Sequence, residues 1–445
     1  MKDYFEKYTR AVNNTDTIKY TGTVCAVQGL MIESNGPRSV IGEICYIEVS
    51  KLNKTILAEV IGLENKTVKL MAYTQLEGIE IGDKVIASGN VLQVGVGENL
   101  LGRILDGTGK AIDGLGDIVP ETFYPVSKEA PNSLTRKEIS ERIVTGVRSI
   151  DSLCAVGKGQ RIGVFAGSGV GKSTILSMIA RNTNAEVNVI GLIGERGREV
   201  LDFLRHDLGN EGLKRSVLVI ATGDQSPIAK LRAAYVTTAI AEYFRDQGKD
   251  VMLMMDTITR FAHAQRDIGS SLGETPQRRG YPASTFTKIQ QLLERTGTND
   301  KGSITAFYTV LVDGGDFDEP VSDTVRGILD GHIMLSPDLV RKQHYPAVDV
   351  LESISRCAGK VTGPETQKAV RQVKKWIADY QNREDMIESG IYVKGSSAEI
   401  DEAIEKHAEI EKYLIQDPYD KGSMEETIKG LTALTGIEIP EEEYK

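Results

Sequence analysis

Nine consecutive residues combine backbone freedom with charge: Ala166-Gly167-Ser168-Gly169-Val170-Gly171-Lys172-Ser173-Thr174. They follow the apolar run Ile162–Phe165 and open a helix-forming stretch, so the spacing predicts a strand, a tight loop and a helix N-terminus. Closely spaced glycines let successive backbone N–H groups turn toward one centre, and the helix end adds positive potential there. The chemistry this suits is the cradling of nucleotide phosphates. Lys172 would reach the β- and γ-phosphates, and Ser173 would hold Mg²⁺. Gly167, Ser168, Gly169, Val170, Gly171, Lys172, Ser173 and Thr174 are therefore the candidate ATP-binding residues. Ala166 stands where such loops usually have their first glycine, which a negative φ would permit. The G-x-G-x-x-G spacing of a dinucleotide loop is missing, because the glycines run straight into Lys172.

Two acidic residues at the ends of apolar runs complete the chemistry. Val251–Met255 is followed by Asp256, and a carboxylate closing a buried parallel strand would stand beside the phosphate loop and bind the Mg²⁺ shell. Val187–Ile193 leads into Gly194-Glu195-Arg196-Gly197-Arg198-Glu199. Hydrolysis needs a group to orient and polarise water, and Glu195, at the strand tip, is better placed than Glu199. Glu199 has a simpler explanation as an acid in a first helical turn. Arg196 and Arg198 would pair with these acids or reach a neighbouring subunit.

The elements that must position these residues follow from periodicity. Ile162–Ala166, Val187–Ile193, Val217–Ala221, Val251–Met255 and Ile304–Val312 are short continuous apolar runs separated by helical stretches such as Ser173–Asn182 and Leu231–Gln247. Such runs predict a parallel sheet covered on both faces, an α/β domain. Before it, Thr17–Ser34, Glu43–Val49, Thr55–Ile61, Thr67–Ala72 and Lys84–Ala87 read as short strands punctuated by Gly and Asn, a small barrel or sandwich. After it, Glu365–Asn382, Ser397–Ile415 and Met424–Thr435 have helical periodicity and many charges. The expected divisions are residues 1–92, 93–365 and 366–445.

With 445 residues the chain is too long for one ordinary core, and its 26% charged content is that of a globular protein. A net charge of −10 argues against nucleic acid as a direct partner. Cys25, Cys45, Cys154 and Cys357 are too scattered for a zinc site or a disulfide framework, so a reducing cytoplasm is expected. The start of the sequence has no signal-peptide pattern and no run is long enough to span a membrane, so any membrane association would come through partners.

Several motifs agree in order and spacing with a known family. The GSGVGKS loop, Gly194-Glu195-Arg196, and Tyr345-Pro346-Ala347-Val348-Asp349 leading to Ser353-Ile354-Ser355-Arg356 resemble the catalytic subunits of rotary ATPases. With Gly194–Val200, Arg279-Gly280-Tyr281-Pro282, Asp323–Leu335 and Tyr380–Gln416, including Ile391–Ser396, the chain is more similar still to flagellar and type III secretion export ATPases. The resemblance implies a RecA-like P-loop domain with an N-terminal β-barrel and a C-terminal α-helical domain. It implies catalytic roles for Lys172, for Glu195 as the water-activating glutamate, and for Arg356 as an arginine finger on a neighbour's ATP. Tyr345 would stack on adenine, and Ser173 and Asp256 would be the Mg²⁺ ligands.

The implied assembly is a homo-hexameric ring in the cytoplasm, peripheral to the export apparatus at the inner face of the cell membrane. The loop Arg279–Pro282 would face a central stalk protein. The helical domain would meet the export gate and substrate–chaperone complexes. A regulatory stator-like protein would bind the N-terminus, where Tyr4, Phe5, Tyr8 and Val12 form an apolar stripe if helical. Thr257, Ile258, Thr275 and Pro337 depart from the usual pattern, none of them directly at the phosphates.

The expected function is ATP hydrolysis energising flagellar protein export, with the injectisome version as the alternative. A β subunit of an F-type ATP synthase is disfavoured by Gly197 and Val200, where Thr and Gly are usual, and by the lack of its acidic lever motif. A ring helicase would want basic and aromatic residues for single strands. A non-catalytic regulatory subunit would usually lack Lys172 or the catalytic acid.

Overall fold

Each central strand feeds two cores at once. In the strand Asp250–Asp256, Val251, Leu253 and Met255 join one buried cluster, while Met252 and Met254 join the other. That is the consequence of a period of two in a run with no polar residue, and it requires cover on both faces. The helices Pro227–Asp246 and Ile258–Ser271 supply one cover, and the helix Lys172–Asn182 the other. Ser226 caps the first of these by accepting from the Ala229 N–H, with Pro227 in its first turn.

The computed structural model describes residues 19–312 and 316–444. The apolar stripe at Tyr4, Phe5, Tyr8 and Val12 lies outside them. The main sheet runs, in spatial order, Val348–Ser355, Gly331–Leu335, Arg161–Ala166, Ser303–Leu311, Asp250–Asp256, Val187–Glu195, Ser216–Thr222 and Ile104–Asp106. All neighbours pair in parallel except Val348–Ser355, which runs antiparallel to Gly331–Leu335. The loop-bearing strand Arg161–Ala166 is thus interior, and the C-terminal ends of its parallel neighbours open on one edge.

The first β-region is a closed six-stranded barrel: Thr21–Gln28, Met31–Asn35, Thr67–Ala72, Lys54–Glu64, Glu43–Val49 and Lys84–Val91. The stretch Thr17–Ser34 reads as one strand in the sequence but is broken by a two-residue turn. Gln28 pairs with Met31, and Gly29 takes φ +58. A tight hairpin needs a left-handed residue there, and glycine supplies it.

The barrel is fixed to the α/β domain by a buried ionic contact. Arg232, on the helix Pro227–Asp246, donates to Glu59 of the barrel through Nε (2.8 Å) and also through Nη2. The Tyr73 hydroxyl donates to the same carboxylate at 2.7 Å. At the other end, the helices Pro364–Gln381, Ala398–Leu414 and Met424–Thr435 form a small bundle. Its Trp376 and Leu431 share a core with the loop-bearing helix Lys172–Asn182.

Removing one partner of a buried charge pair leaves the other uncompensated, typically at about 3–5 kcal/mol. Glu59→Ala is therefore expected to lower the unfolding free energy by an amount of that order in a urea titration. A midpoint unchanged from wild type would mean that the pair does not hold the barrel.

Candidate active site

Among the described residues, the loop and its helix present unclaimed donors. Gly169 and Gly171 take φ +78 and +98, and a Cβ built on either would meet nothing within 4 Å, so the loop is open on that side. The helix Lys172–Asn182 begins without a side-chain cap. Its first N–H groups therefore want an acceptor from outside the helix, and an anion is the natural one. Ala166, at the usual first glycine, is the last residue of its strand, and its carbonyl accepts from the Val312 N–H at 2.9 Å.

Two strand ends converge on Lys172. Its Nζ lies 2.6 Å from Asp256 Oδ1 and 3.5 Å from Glu195 Oε1. Burial opposes the ammonium charge, but the Asp256 and Glu195 carboxylates outweigh it and hold the lysine above its ordinary range. Glu195 is the last residue of Val187–Glu195, and Asp256 the last of Asp250–Asp256. Gly194 turns the chain at φ +73, and a Cβ there would come within 2.9 Å of the Arg260 side chain. Glycine at 194 is thus what allows Glu195 to face Lys172.

The two glutamates of this segment differ in state. Burial, reinforced by the Asp256 charge and opposed by Lys172, pushes Glu195 up to about 7. A hydrogen bond from Glu195 holds Glu199 below the usual carboxylate range. Glu199 lies in the first turn of the helix Gly197–Asp202. Arg196 and Arg198 are exposed and make only long contacts, 3.8 Å each, to Glu199 and Asp202.

Asp256 is buried and accepts from the Thr309 hydroxyl at 2.6 Å. Among the described residues no three His, Cys, Asp or Glu side chains gather into a metal cage. Ser173 and Asp256 are hard oxygen donors beside an open loop. That fits a small divalent cation which takes one or two protein oxygens and fills its shell with phosphate and water.

Tyr345 is on the same edge of the sheet. Three residues on, Val348 pairs with Leu335, next to Met334, which pairs with Phe165 of the loop-bearing strand. Tyr345 is 37% exposed, so its ring is open to a ligand, and its carbonyl accepts from the Gln416 N–H at 2.9 Å. The buried Gln416 side chain donates to the Gly146 carbonyl at 2.9 Å and accepts from the Arg148 N–H at 2.8 Å.

Arg356 is not brought to this cluster. It follows the antiparallel edge strand, and its N–H donates to the Asp330 carbonyl, while the Asp330 N–H donates to the Arg161 carbonyl. Arg161 opens the strand whose far end carries the loop, about 17 Å away at ~3.3 Å per residue. The Arg356 side chain is exposed at the opposite edge from Lys172.

Sequence reasoning passed over Thr309 and Gln416. Thr309 is hidden in an apolar run, where the signal available was a polar residue in a doubly buried strand. Gln416 lies just beyond a helix, and nothing local marks it.

Comparison with known proteins accords with this geometry. Residues 146–355 match the nucleotide-binding domain of the ATP synthase alpha/beta family, and residues 24–100 its beta-barrel domain. Residues 362–433 match the T3SS EscN ATPase C-terminal domain. The chain is 53% identical over 437 residues to a flagellum-specific ATP synthase of Treponema pallidum, covering 98% of each chain. It is 51% identical to that of Bacillus subtilis, covering 96% of this chain and 98% of the relative. It is 45% identical to a type 3 secretion system ATPase of Xanthomonas euvesicatoria, covering 93% and 94%. The assembled ATPase EscN of the enteropathogenic E. coli type III secretion system superposes with a TM-score of 0.88 at 40% identity, covering 93% of this chain and all of that one. With its barrel, phosphate loop and helical C-terminal domain all matched in order, the chain belongs to the flagellum-specific and type III secretion ATPase family of ATP-hydrolysing enzymes.

Proposed function

We propose that this protein hydrolyses Mg²⁺–ATP to energise protein export by a flagellar type III secretion apparatus, using sites completed between subunits of a homo-hexameric ring. The observation that carries the chemistry is the Lys172 ammonium held between Asp256 and Glu195 at the mouth of an uncapped helix. In this reading Lys172 moves to the phosphates of ATP, and the N–H groups of Gly167–Thr174 orient them. Mg²⁺, held through Ser173 and Asp256, would neutralise charge on the phosphate oxygens. Glu195, freed from Lys172, accepts a hydrogen bond from the attacking water and aligns it with the γ-phosphorus. Tyr345 supplies a face for the adenine.

Arg356 supports the ring. It is exposed on the edge away from its own loop, where it can serve only a neighbour's site. EscN has been solved assembled, and in complex with its central stalk EscO; the latter structure matches this chain with a TM-score of 0.86. By analogy, the loop Arg279–Pro282, with Arg279 paired to Asp316 at 2.6 Å, would face a stalk protein. The flagellar assignment over the injectisome one rests on the higher identity to flagellum-specific relatives, 53% against 45%. Among the described residues no helix is long and apolar enough to cross a membrane. Placement in the cytoplasm at the membrane's inner face would thus depend on partners, among them a stator-like protein, the export gate and substrate–chaperone complexes.

Arg356→Ala should lower kcat by about 10³-fold or more while leaving nucleotide binding intact, since a finger acts on transition-state charge. Glu195→Gln should likewise bind nucleotide and fail to turn it over. Wild-type activity per chain should climb as protein concentration drives assembly. An Arg356→Ala enzyme as fast as wild type would sink the shared-site reading.

Glu195 must be ionised to accept the water's hydrogen bond, and kcat/KM reports free-enzyme ionisations. With Glu195 at about 7, log kcat/KM should fall by about one unit per pH unit below that value and level off above it. A steady-state profile flat down to about pH 5.5 would show that Glu195 is not the group whose ionisation matters.

A further inference from the structure

Thr309 carries a buried hydroxyl that the proposed chemistry does not use. It lies in the strand Ser303–Leu311, between the loop-bearing strand and the strand that ends at Asp256, and its side chain is inaccessible to solvent. Its Oγ1 is 2.6 Å from Asp256 Oδ1 and 3.3 Å from the Met255 carbonyl. A hydroxyl has one proton to give, and the shorter bond to the ionised acceptor is the stronger. The backbone around this hydroxyl is itself tied to the chain beyond Asp256. The Thr257 hydroxyl donates to the Thr309 carbonyl at 3.0 Å, and the Leu311 N–H donates to Thr259 Oγ1 at 2.9 Å.

Lys172 and Thr309 thus share a single carboxylate oxygen, each at 2.6 Å. When Lys172 turns to phosphate, that oxygen loses its ion-pair partner and keeps the Thr309 hydroxyl. We propose that Thr309 is a positioning residue: its hydroxyl holds the Asp256 carboxylate in the orientation that presents it to the nucleotide-bound cation once Lys172 has left. This inference rests on the reading of Asp256 as the acid of the Mg²⁺ shell. Groups that orient a metal-binding carboxylate typically contribute about 10–100-fold in metal affinity.

The test compares wild type, Thr309→Val, Thr309→Ser and Asp256→Asn as full-length chains. A fluorescent ADP analogue is titrated in EDTA and in Mg²⁺, and thermal unfolding is followed in parallel. Valine keeps the shape of threonine and removes the donor. Thr309→Val should bind the analogue in EDTA within about twofold of wild type but require about tenfold more Mg²⁺ for its enhancement, and Thr309→Ser should recover most of that loss. If Thr309→Val unfolds, Thr309→Ala against Thr309→Ser applies the same criterion. A wild-type Mg²⁺ requirement in the hydroxyl-free variant, with Asp256→Asn impaired, overturns the role of Thr309 and leaves Asp256 in place. A wild-type requirement in Asp256→Asn overturns the metal reading and the inference with it.

Discussion

A buried ammonium needs anionic partners, and the placement of Lys172 is the constraint around which this molecule is arranged. Removing a lysine charge from water is unfavourable by several kcal/mol unless opposite charge stands beside it. Here the carboxylates of Asp256 and Glu195 provide that charge from two adjacent strand ends. Strands deliver side chains to one edge in this way only if they run parallel, and parallel strands require helices on both faces. The continuous apolar runs, the two cores and the order of the sheet all serve to bring three chain segments to one point.

The same arrangement makes the cluster responsive. Lys172 is shared between two carboxylates, and in the proposed reading phosphate would draw the lysine away while a cation would take Asp256 and water would meet Glu195. Glu195 is pushed up to about 7 because burial and the Asp256 charge work against its ionisation while Lys172 only partly compensates. Moving the lysine would therefore take an opposite charge away from both carboxylates at once.

Beyond the cluster, long-range contacts tie the outer domains to the sheet. Gln416 binds the Tyr345 carbonyl, Gly146 and Arg148, and so stitches the helical C-terminal region to the ligand-facing edge of the sheet. Glu59 and Arg232 do the same for the barrel. Arg356, by contrast, projects from the far edge. In the proposed ring, an arginine exposed there would act on a neighbour's nucleotide rather than on that of its own chain.

The phosphate loop, the two strand-end acids, the parallel sheet and the separate β and helical regions are determined by local sequence. Glycine spacing, an apolar run and its terminal carboxylate act within a few residues and depend little on context. Domain type was legible for the same reason, since periodicity reports which faces are buried. Strand patterning left a barrel or a sandwich open, and only the family resemblance pointed to a barrel; the break at Gly29 was not legible, because β-branched residues favour a strand on either side of a turn equally. Nor was the strand Ile104–Asp106, three residues whose pairing depends on the edge left open by Ser216–Thr222. Thr309 beside Asp256, Gln416 beneath Tyr345 and Arg356 on the edge opposite its own loop were decided by tertiary structure alone. The partners of Thr309 and Gln416 lie 53 and 71 residues away in sequence, Arg356 lies more than 180 residues beyond its own loop, and only sheet order and register set which of these segments meet.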